Sequence, residues 1–139
     1  MSNLITQSGT IIYDPERGTM KSNTNYWCIV QLPDDLVRYY QYFMRSEKHV
    51  HLCMPAWGAH VSVVRGEKPR EEYLHLWKKY HKKKVQFQYN PIIKTHKDSS
   101  GGSFYFIDFV CDELMDIRAE LGLSIHKHLH FTVGRTYYD

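Results

Sequence analysis

Two short segments of this chain share one residue pattern and lie half a chain length apart. The segments 59–65 (Ala-His-Val-Ser-Val-Val-Arg) and 129–135 (Leu-His-Phe-Thr-Val-Gly-Arg) both read apolar, His, apolar, hydroxyl, Val, variable, Arg. Their histidines, His60 and His130, are 70 positions apart in a chain of 139 residues. The residues around each histidine are mostly β-branched or aromatic, which favours β-strands. We therefore expect two equivalent strands, one in each half of the fold.

The repeated pattern places an imidazole and a hydroxyl side by side. Because side chains alternate across a strand, His60 shares a face with Ser62, and His130 shares a face with Thr132. A neutral imidazole can accept a proton from an attacking oxygen, while a protonated one can donate a proton to a leaving oxygen. Hydroxyl groups can bind the non-bridging oxygens of a phosphate between them. The four residues therefore predict a metal-independent phosphodiesterase site, without indicating which histidine is the base.

Other interpretations of the histidines remain open. A single His-x-Ser or His-x-Thr on a strand usually has no catalytic role, so the prediction depends on the repeat. His126, His128 and His130 alternate along one segment, as do His49 and His51, which raises the possibility of a metal site. Three imidazoles in a line cannot surround an ion without further ligands, and no His-Glu-x-x-His or Cys-x-x-Cys motif occurs. We expect no metal or cofactor, and sensitivity to a chelator would decide the point.

Each motif ends in an arginine, Arg65 or Arg135, that could neutralise a phosphate. Both arginines lie five positions after their histidine, which is the opposite face of a regular strand. They would need a bulge or a strand end to reach the site, so we interpret them as structural.

The order of the expected elements favours an α+β protein with one domain over 25–139, preceded by a loose extension over 1–24. Within the extension, residues 10–13 could form a short edge strand. The helix from residue 34 to about 45 is expected to bury Leu36, Tyr39, Tyr40 and Phe43. The expected strands are 25–32, 49–55, 59–65, 85–94, 104–110 and 124–136, and the other helices are 70–82 and 112–121.

Composition narrows the class of partner and the compartment. The net charge of +3 suits an anionic ligand but is too small to predict binding of a long nucleic-acid duplex. The three cysteines, Cys28, Cys53 and Cys111, have no paired spacing and predict buried thiols in a reducing compartment. No signal peptide or membrane-length apolar run is present, so a cytoplasmic location is expected.

The paired motifs resemble those of the two-histidine (2H) phosphoesterase superfamily, whose signature is one His-x-Thr/Ser motif in each half of a pseudo-symmetric fold. The resemblance covers residues 25–136, with Ser62 where threonine is usual. It implies a bilobal fold in which two antiparallel sheets flank a central cleft, with helices outside. It also implies that His60 and His130 act as acid and base on an RNA-type phosphodiester.

Two segments, Tyr-Trp-Cys-Ile-Val at 26–30 and Pro-Ala-Trp-Gly-Ala-His-Val-Ser at 55–62, are similar to phage proteins that destroy cyclic di- and trinucleotide messengers of the bacterial CBASS immune system. This resemblance implies cleavage of a 3′–5′ linkage, as in 3′,3′-cGAMP, with Tyr26 and Trp57 stacking on bases. Packing under the preceding turn is an equal alternative for Trp57. A sponge that binds such messengers without cleaving them, and an RNA-end enzyme acting on 2′,3′-cyclic phosphates, are the other functions to consider.

Overall fold

The structure, a computed structural model, describes residues 4–15, 25–53, 58–99 and 101–137. Two α-helices and one 3-10 helix accompany the strands in these residues: α1 (Asp34–Lys48), the 3-10 helix (Glu71–Leu76) and α2 (Asp112–Glu120). The strands are β1 (Ile5–Tyr13), β2 (Trp27–Gln31), β3 (His60–Arg65), β4 (Lys84–Tyr89), β5 (Lys94–Lys97), β6 (Ser103–Phe109) and β7 (Leu129–Thr136).

These seven strands form one antiparallel sheet in the order β4-β1-β2-β3-β7-β6-β5. The two motif strands, β3 and β7, are neighbours inside the sheet, where the described pairing joins Val61 to Phe131. Strands β1, β2 and β4 lie on the β3 side of this seam, and β5 and β6 lie on the β7 side. Helices segregated from an antiparallel sheet confirm the predicted α+β class.

The hydrophobic core lies on one face of the sheet, under the helices. Val61 and Phe131, which pair across the seam, are both fully buried in this core. The helices contribute Val37 and Tyr40 from α1 and Leu114 and Ile117 from α2. Since neighbouring residues on a strand point to opposite faces, the motif histidines and hydroxyls lie on the face away from this core. None of the described helices is long and apolar enough to cross a membrane.

The N-terminal segment is part of the sheet, so the expectation of a loose extension is wrong for residues 5–13. Strand β1 pairs with both β2 and β4, and it is therefore neither short nor at an edge. Gly9 lies within the strand, opposite Val85, and a Cβ at this position would collide with Val30 and Leu32. Residues 16–24 lie outside the described part of the chain.

The expected strand over 85–94 is two strands at opposite edges of the sheet. Strand β4 pairs with β1, whereas β5 forms a hairpin with β6. The chain leaves the first strand at Asn90-Pro91, where proline has no N–H to donate to a ladder. The strand that precedes the loop before Ser103 is therefore β5 alone.

Helix α1 is confirmed, but its buried face is rotated from the expected one. Val37, Tyr40 and Met44 are buried, whereas Tyr39 and Phe43 are exposed. The solvent-facing side of α1 is wider than the spacing of its apolar residues suggested. Tyr39 can lie on that side because water can solvate a tyrosine hydroxyl.

The helix expected over 70–82 is wrong, since only a 3-10 helix forms there, followed by turns. Lys78 and Lys82 have φ values of 74° and 69°, which no right-handed helix can include. Of the strand expected over 49–55, the described residues show a single bridge between Cys53 and Arg135. Cys53 is also exposed, contrary to the expectation of three buried thiols.

Candidate active site

The register of β3 against β7 brings the two motifs together. From the pair Val61–Phe131, one step along antiparallel strands in each direction places His60 opposite Thr132 and Ser62 opposite His130. The imidazoles thus occupy diagonal positions on one face, where Cα atoms are typically about 7–8 Å apart. Each histidine faces the hydroxyl of the other motif across the seam.

Both motif strands carry a β-bulge at the same position of the repeat. In β3 the partner β2 skips Val63, since Ser62 pairs with Ile29 while Val64 pairs with Cys28. In β7 the partner β6 skips Val133 in the same way. An extra residue reverses the alternation beyond the bulge, so the final arginine of each motif returns to the face of its histidine.

The carbonyl of each bulged valine is held by a polar side chain from a helix. Arg118 of α2 donates from Nη1 to the Val63 oxygen over 2.8 Å. Gln41 of α1 donates from Nε2 to the Val133 oxygen over 2.9 Å. The two halves of the site therefore share the same bulge and the same kind of clamp.

Arg118 is 1% exposed and is the centre of a polar network. Its guanidinium forms a bidentate ion pair with Glu67, and its Nε donates to the Ser124 oxygen. The bond from Arg118 is the main reason that the pKa of Glu67 falls to about 2. This network attaches the end of β3 to α2 and so fixes the direction in which the first motif leaves the bulge.

The His60 ring has a defined tautomer when neutral. Its Nδ1 lies 2.9 Å from the carbonyl oxygen of Gly58, which can only accept, so Nδ1 carries the hydrogen and Nε2 the lone pair. Burial lowers the pKa of His60, the bond to Gly58 opposes that change, and the charge of Arg65 and the proximity of His130 lower it further. His60 therefore stays neutral down to a lower pH than an ordinary histidine side chain does.

Trp27 of β2 supports the first motif from the neighbouring strand. Its ring lies edge-on to the His60 ring with centroids 5.6 Å apart. Its Nε1 donates to Ser62 Oγ over 3.1 Å, and since an indole nitrogen is only a donor, the serine oxygen accepts this bond. The Ser62 hydroxyl hydrogen is thereby directed elsewhere and can be donated to a bound anion.

His130 is more exposed than His60 and has a carboxylate beside it. Asp108 of β6 is paired directly with His130 in the sheet register. Burial lowers the pKa of His130 and the charge of Lys127 lowers it further, whereas Asp108 raises it. The same carboxylate also forms an ion pair of 2.9 Å with Lys94, which limits its effect on the ring.

The two motif arginines have different surroundings. Arg135 forms an ion pair of 2.6 Å with Asp98 and lies between the rings of Phe104 and Tyr137. Arg65 is exposed and lies over the Trp27 ring, with no carboxylate among the described residues within ion-pair distance. The bulges thus bring both arginines to the motif face, where Arg135 is held by an ion pair and Arg65 is not. The interpretation of the two arginines as structural stays a prediction.

The two predicted stacking residues are not brought to the histidines by any described contact. The Tyr26 ring packs edge-on against Trp77 at 5.4 Å, and Trp77 also contacts Tyr13 at 4.9 Å. Trp57 lies outside the described residues. Base stacking by either side chain stays a prediction.

The histidine series considered as a metal site is not one strand. Strand β7 begins at Leu129, so His126 and His128 precede it and do not continue the alternation of the motif. Among the described residues, no three His, Cys, Asp or Glu side chains converge in a way that could hold a metal ion.

The sequence reasoning missed the supporting residues around the two motifs. Trp27, Asp108 and Arg118 belong to β2, β6 and α2, which reach the site only through the sheet register and helix packing. The alternation of Phe-Ile-Asp-Phe in β6 would have placed Asp108 on the face away from the core, but not opposite His130. No local signal indicated the buried role of Arg118.

Comparison of the chain with protein-family models, with curated proteins and with solved structures finds no match. The function must therefore be inferred from the site itself.

Proposed function

We propose that this protein is a metal-independent phosphodiesterase that opens cyclic di- and trinucleotide messengers at a 3′–5′ linkage. The observation that carries the proposal is the antiparallel register of β3 and β7, which sets two imidazole–hydroxyl pairs on one polar face. The resemblance to the 2H phosphoesterases suggests that the strands on either side of the seam are its two lobes. A phage protein of this type would act in the cytoplasm of the infected bacterium.

The tautomer of His60 favours it as the general base. With Nδ1 donating to Gly58, Nε2 is the ring nitrogen that can accept the proton of a ribose 2′-hydroxyl. The 2′-oxygen then attacks the phosphorus of the adjacent 3′–5′ linkage, and a 2′,3′-cyclic phosphate forms as the bond to the 5′-oxygen breaks. A low pKa suits a base of this kind, because the ring is already unprotonated at neutral pH.

His130 is then the general acid that donates its proton to the departing 5′-oxygen. Burial and the charge of Lys127 lower the pKa of His130, but Asp108 opposes that change, and the negative phosphate of a bound substrate acts in the same direction as Asp108. Ser62 and Thr132 are the donors to the non-bridging oxygens, each placed across the seam from the other motif's histidine. If water later opens the cyclic phosphate, the two histidines exchange roles.

The test is product analysis with 3′,3′-cGAMP in excess EDTA. We expect linear products from the native protein, and a loss of at least 1,000-fold in rate for His60→Ala and for His130→Ala, since each removes one proton transfer. His126→Ala is the matched control, because this exposed histidine precedes β7. Circular dichroism should show that all three variants remain folded.

The pH profile tests the assignment of the two roles. On the acidic side, the rate should begin to decrease only at a pH below the ordinary pKa of an imidazole, because His60 is protonated only at that lower pH. Near-normal turnover in either alanine variant would refute the proposal, and loss of activity in EDTA that zinc restores would replace it with metal chemistry. Binding of 3′,3′-cGAMP without products would identify a sponge.

A further inference from the structure

Arg65 is a cation at the edge of the candidate active site that the two-histidine chemistry does not use. The bulge at Val63 reverses the alternation of β3, so Arg65 is on the face of His60 rather than on the core face. Its guanidinium carbon lies 5.6 Å from the centroid of the Trp27 ring. Trp27 in turn contacts both His60 and Ser62. Arg65 is therefore connected through one side chain to both residues of the first motif.

The separation of Arg65 from the histidine decides which phosphate it can reach. The guanidinium and the His60 ring lie on the same indole, each 5.6 Å from its centroid, so they are at most about 11 Å apart. The guanidinium is thus close enough to bind one phosphate of a nucleotide ligand while the His60 ring faces the neighbouring phosphate. The reacting phosphate already has two hydroxyl donors, Ser62 and Thr132, and two imidazoles.

The corresponding arginine of the second motif has different surroundings. Arg135 occupies the corresponding position of the repeat, but its charge is paired with Asp98 and its guanidinium lies between two aromatic rings. Arg65 stacks on a buried indole, which restricts its conformations and leaves its N–H donors available. The two pseudo-equivalent halves therefore differ in charge at the place where a second anionic group of a ligand would lie.

We propose that Arg65, held on Trp27 by the bulge in β3, binds a second phosphate of the substrate, next to the phosphate held between His60 and His130. This inference rests on the proposed function, and it makes Arg65 a specificity-determining residue. Arg65 selects ligands with at least two phosphodiesters, such as cyclic di- and trinucleotides, over ligands with a single 2′,3′-cyclic phosphate.

The experiment compares two ligands and three variants by equilibrium binding, with tryptophan fluorescence as the signal. The ligands are 3′,3′-cGAMP, which has two phosphates, and 2′,3′-cyclic AMP, which has one. The variants are Arg65→Gln, Arg65→Lys and, as a matched control, Arg45→Gln on the exposed surface of α1. All are made in the His130→Ala background, so that no turnover disturbs the measurement.

We expect Arg65→Gln to weaken binding of 3′,3′-cGAMP about tenfold or more, in line with the loss of a charge-assisted bond. Its binding of 2′,3′-cyclic AMP should change less than twofold. The affinity of Arg65→Lys for 3′,3′-cGAMP should lie between that of the parent and that of Arg65→Gln, since an ammonium keeps the charge but stacks less well on an indole. Arg45→Gln should match the parent for both ligands.

Several outcomes would overturn the inference. Unchanged binding of 3′,3′-cGAMP in Arg65→Gln would show that the cation contacts no phosphate, and an equal loss for both ligands would place it on the reacting phosphate. If the protein with both histidines hydrolyses 3′,3′-cGAMP while Arg65→Gln binds it normally, only this inference fails. If Arg65-dependent binding is found without any hydrolysis, only the proposed activity fails.

Discussion

Replacing the buried Arg118 by methionine should destabilise the fold strongly. The substitution keeps an apolar stem of similar length and removes the whole guanidinium. It leaves the Val63 and Ser124 carbonyls without their donors, and Glu67 with only the ion pair to Lys127. The free energy of unfolding should fall because these acceptors lose partners that buried groups require.

The magnitude follows from the number and burial of the lost bonds. Removing one partner of a buried ion pair costs about 3–5 kcal/mol, but Glu67 is 36% exposed and water can solvate part of its charge. Each buried carbonyl left without a donor adds about 1–3 kcal/mol at most, and relaxation recovers some of it. We therefore expect a loss of about 3–4 kcal/mol, out of a total stability of about 5–15 kcal/mol for a domain of this kind.

Urea denaturation followed by circular dichroism measures this loss directly. The matched control is Arg45→Met, where the same substitution is made at an exposed arginine that contacts only the Tyr42 ring among the described residues. This control should stay within about 0.5 kcal/mol of the native protein. If Arg118→Met loses less than about 1 kcal/mol, the network around the β3 bulge does not stabilise the fold and the reasoning is wrong.

Two further predictions concern the same bulges. Glu67 has a pKa of about 2 in the folded protein, against an ordinary value of 4.5. Its contribution to the free energy of unfolding should therefore be complete above pH 4.5 and be lost as the pH falls toward 2. Acid titration of the native protein and of Glu67→Gln should show this loss in the native protein alone. Gly134→Ala should destabilise the fold by about 1–3 kcal/mol, because the new Cβ would lie 2.6 Å from the Cys53 oxygen and 2.7 Å from Leu52; thermal melts that match the native protein would contradict this packing.

Local pattern was sufficient to predict the motif strands, because alternation and β-branched residues are properties of each segment alone. It also identified His60, Ser62, His130 and Thr132 as sharing faces in pairs. It could not predict which strands are neighbours, and so could not show that the four residues meet across one seam. That fact depends on the sheet order, which is set by the packing of the whole chain.

The two bulges are a second feature that local sequence pattern could not predict. Five positions separate Arg65 from His60, and a regular strand would put them on opposite faces. The reversal at Val63 is visible only in the pairing with β2, and its stabilisation depends on Arg118, which is 55 residues further along the chain. The split of the expected strand at Asn90-Pro91 is similar, because the sequence marked the proline but not that the two pieces lie at opposite edges of the sheet.

The repeat makes the backbone of the two halves alike, yet the charges around the two histidines differ, and the separate roles proposed for them depend on this difference. Burial lowers the pKa of His60, the bond to the Gly58 carbonyl raises it, and the charge of Arg65 lowers it again, so that the neutral form is favoured. Burial and then the charge of Lys127 lower the pKa of His130 as well, but Asp108 acts in the opposite direction and favours the protonated form. A symmetric pair of imidazoles would titrate together and divide the two proton transfers poorly. Removing both charges, with Arg65→Gln and Asp108→Asn in one variant, should raise the pKa of His60 and lower that of His130. Both limbs of the pH–rate profile should then move inward and narrow the pH optimum, even though both histidines remain in place.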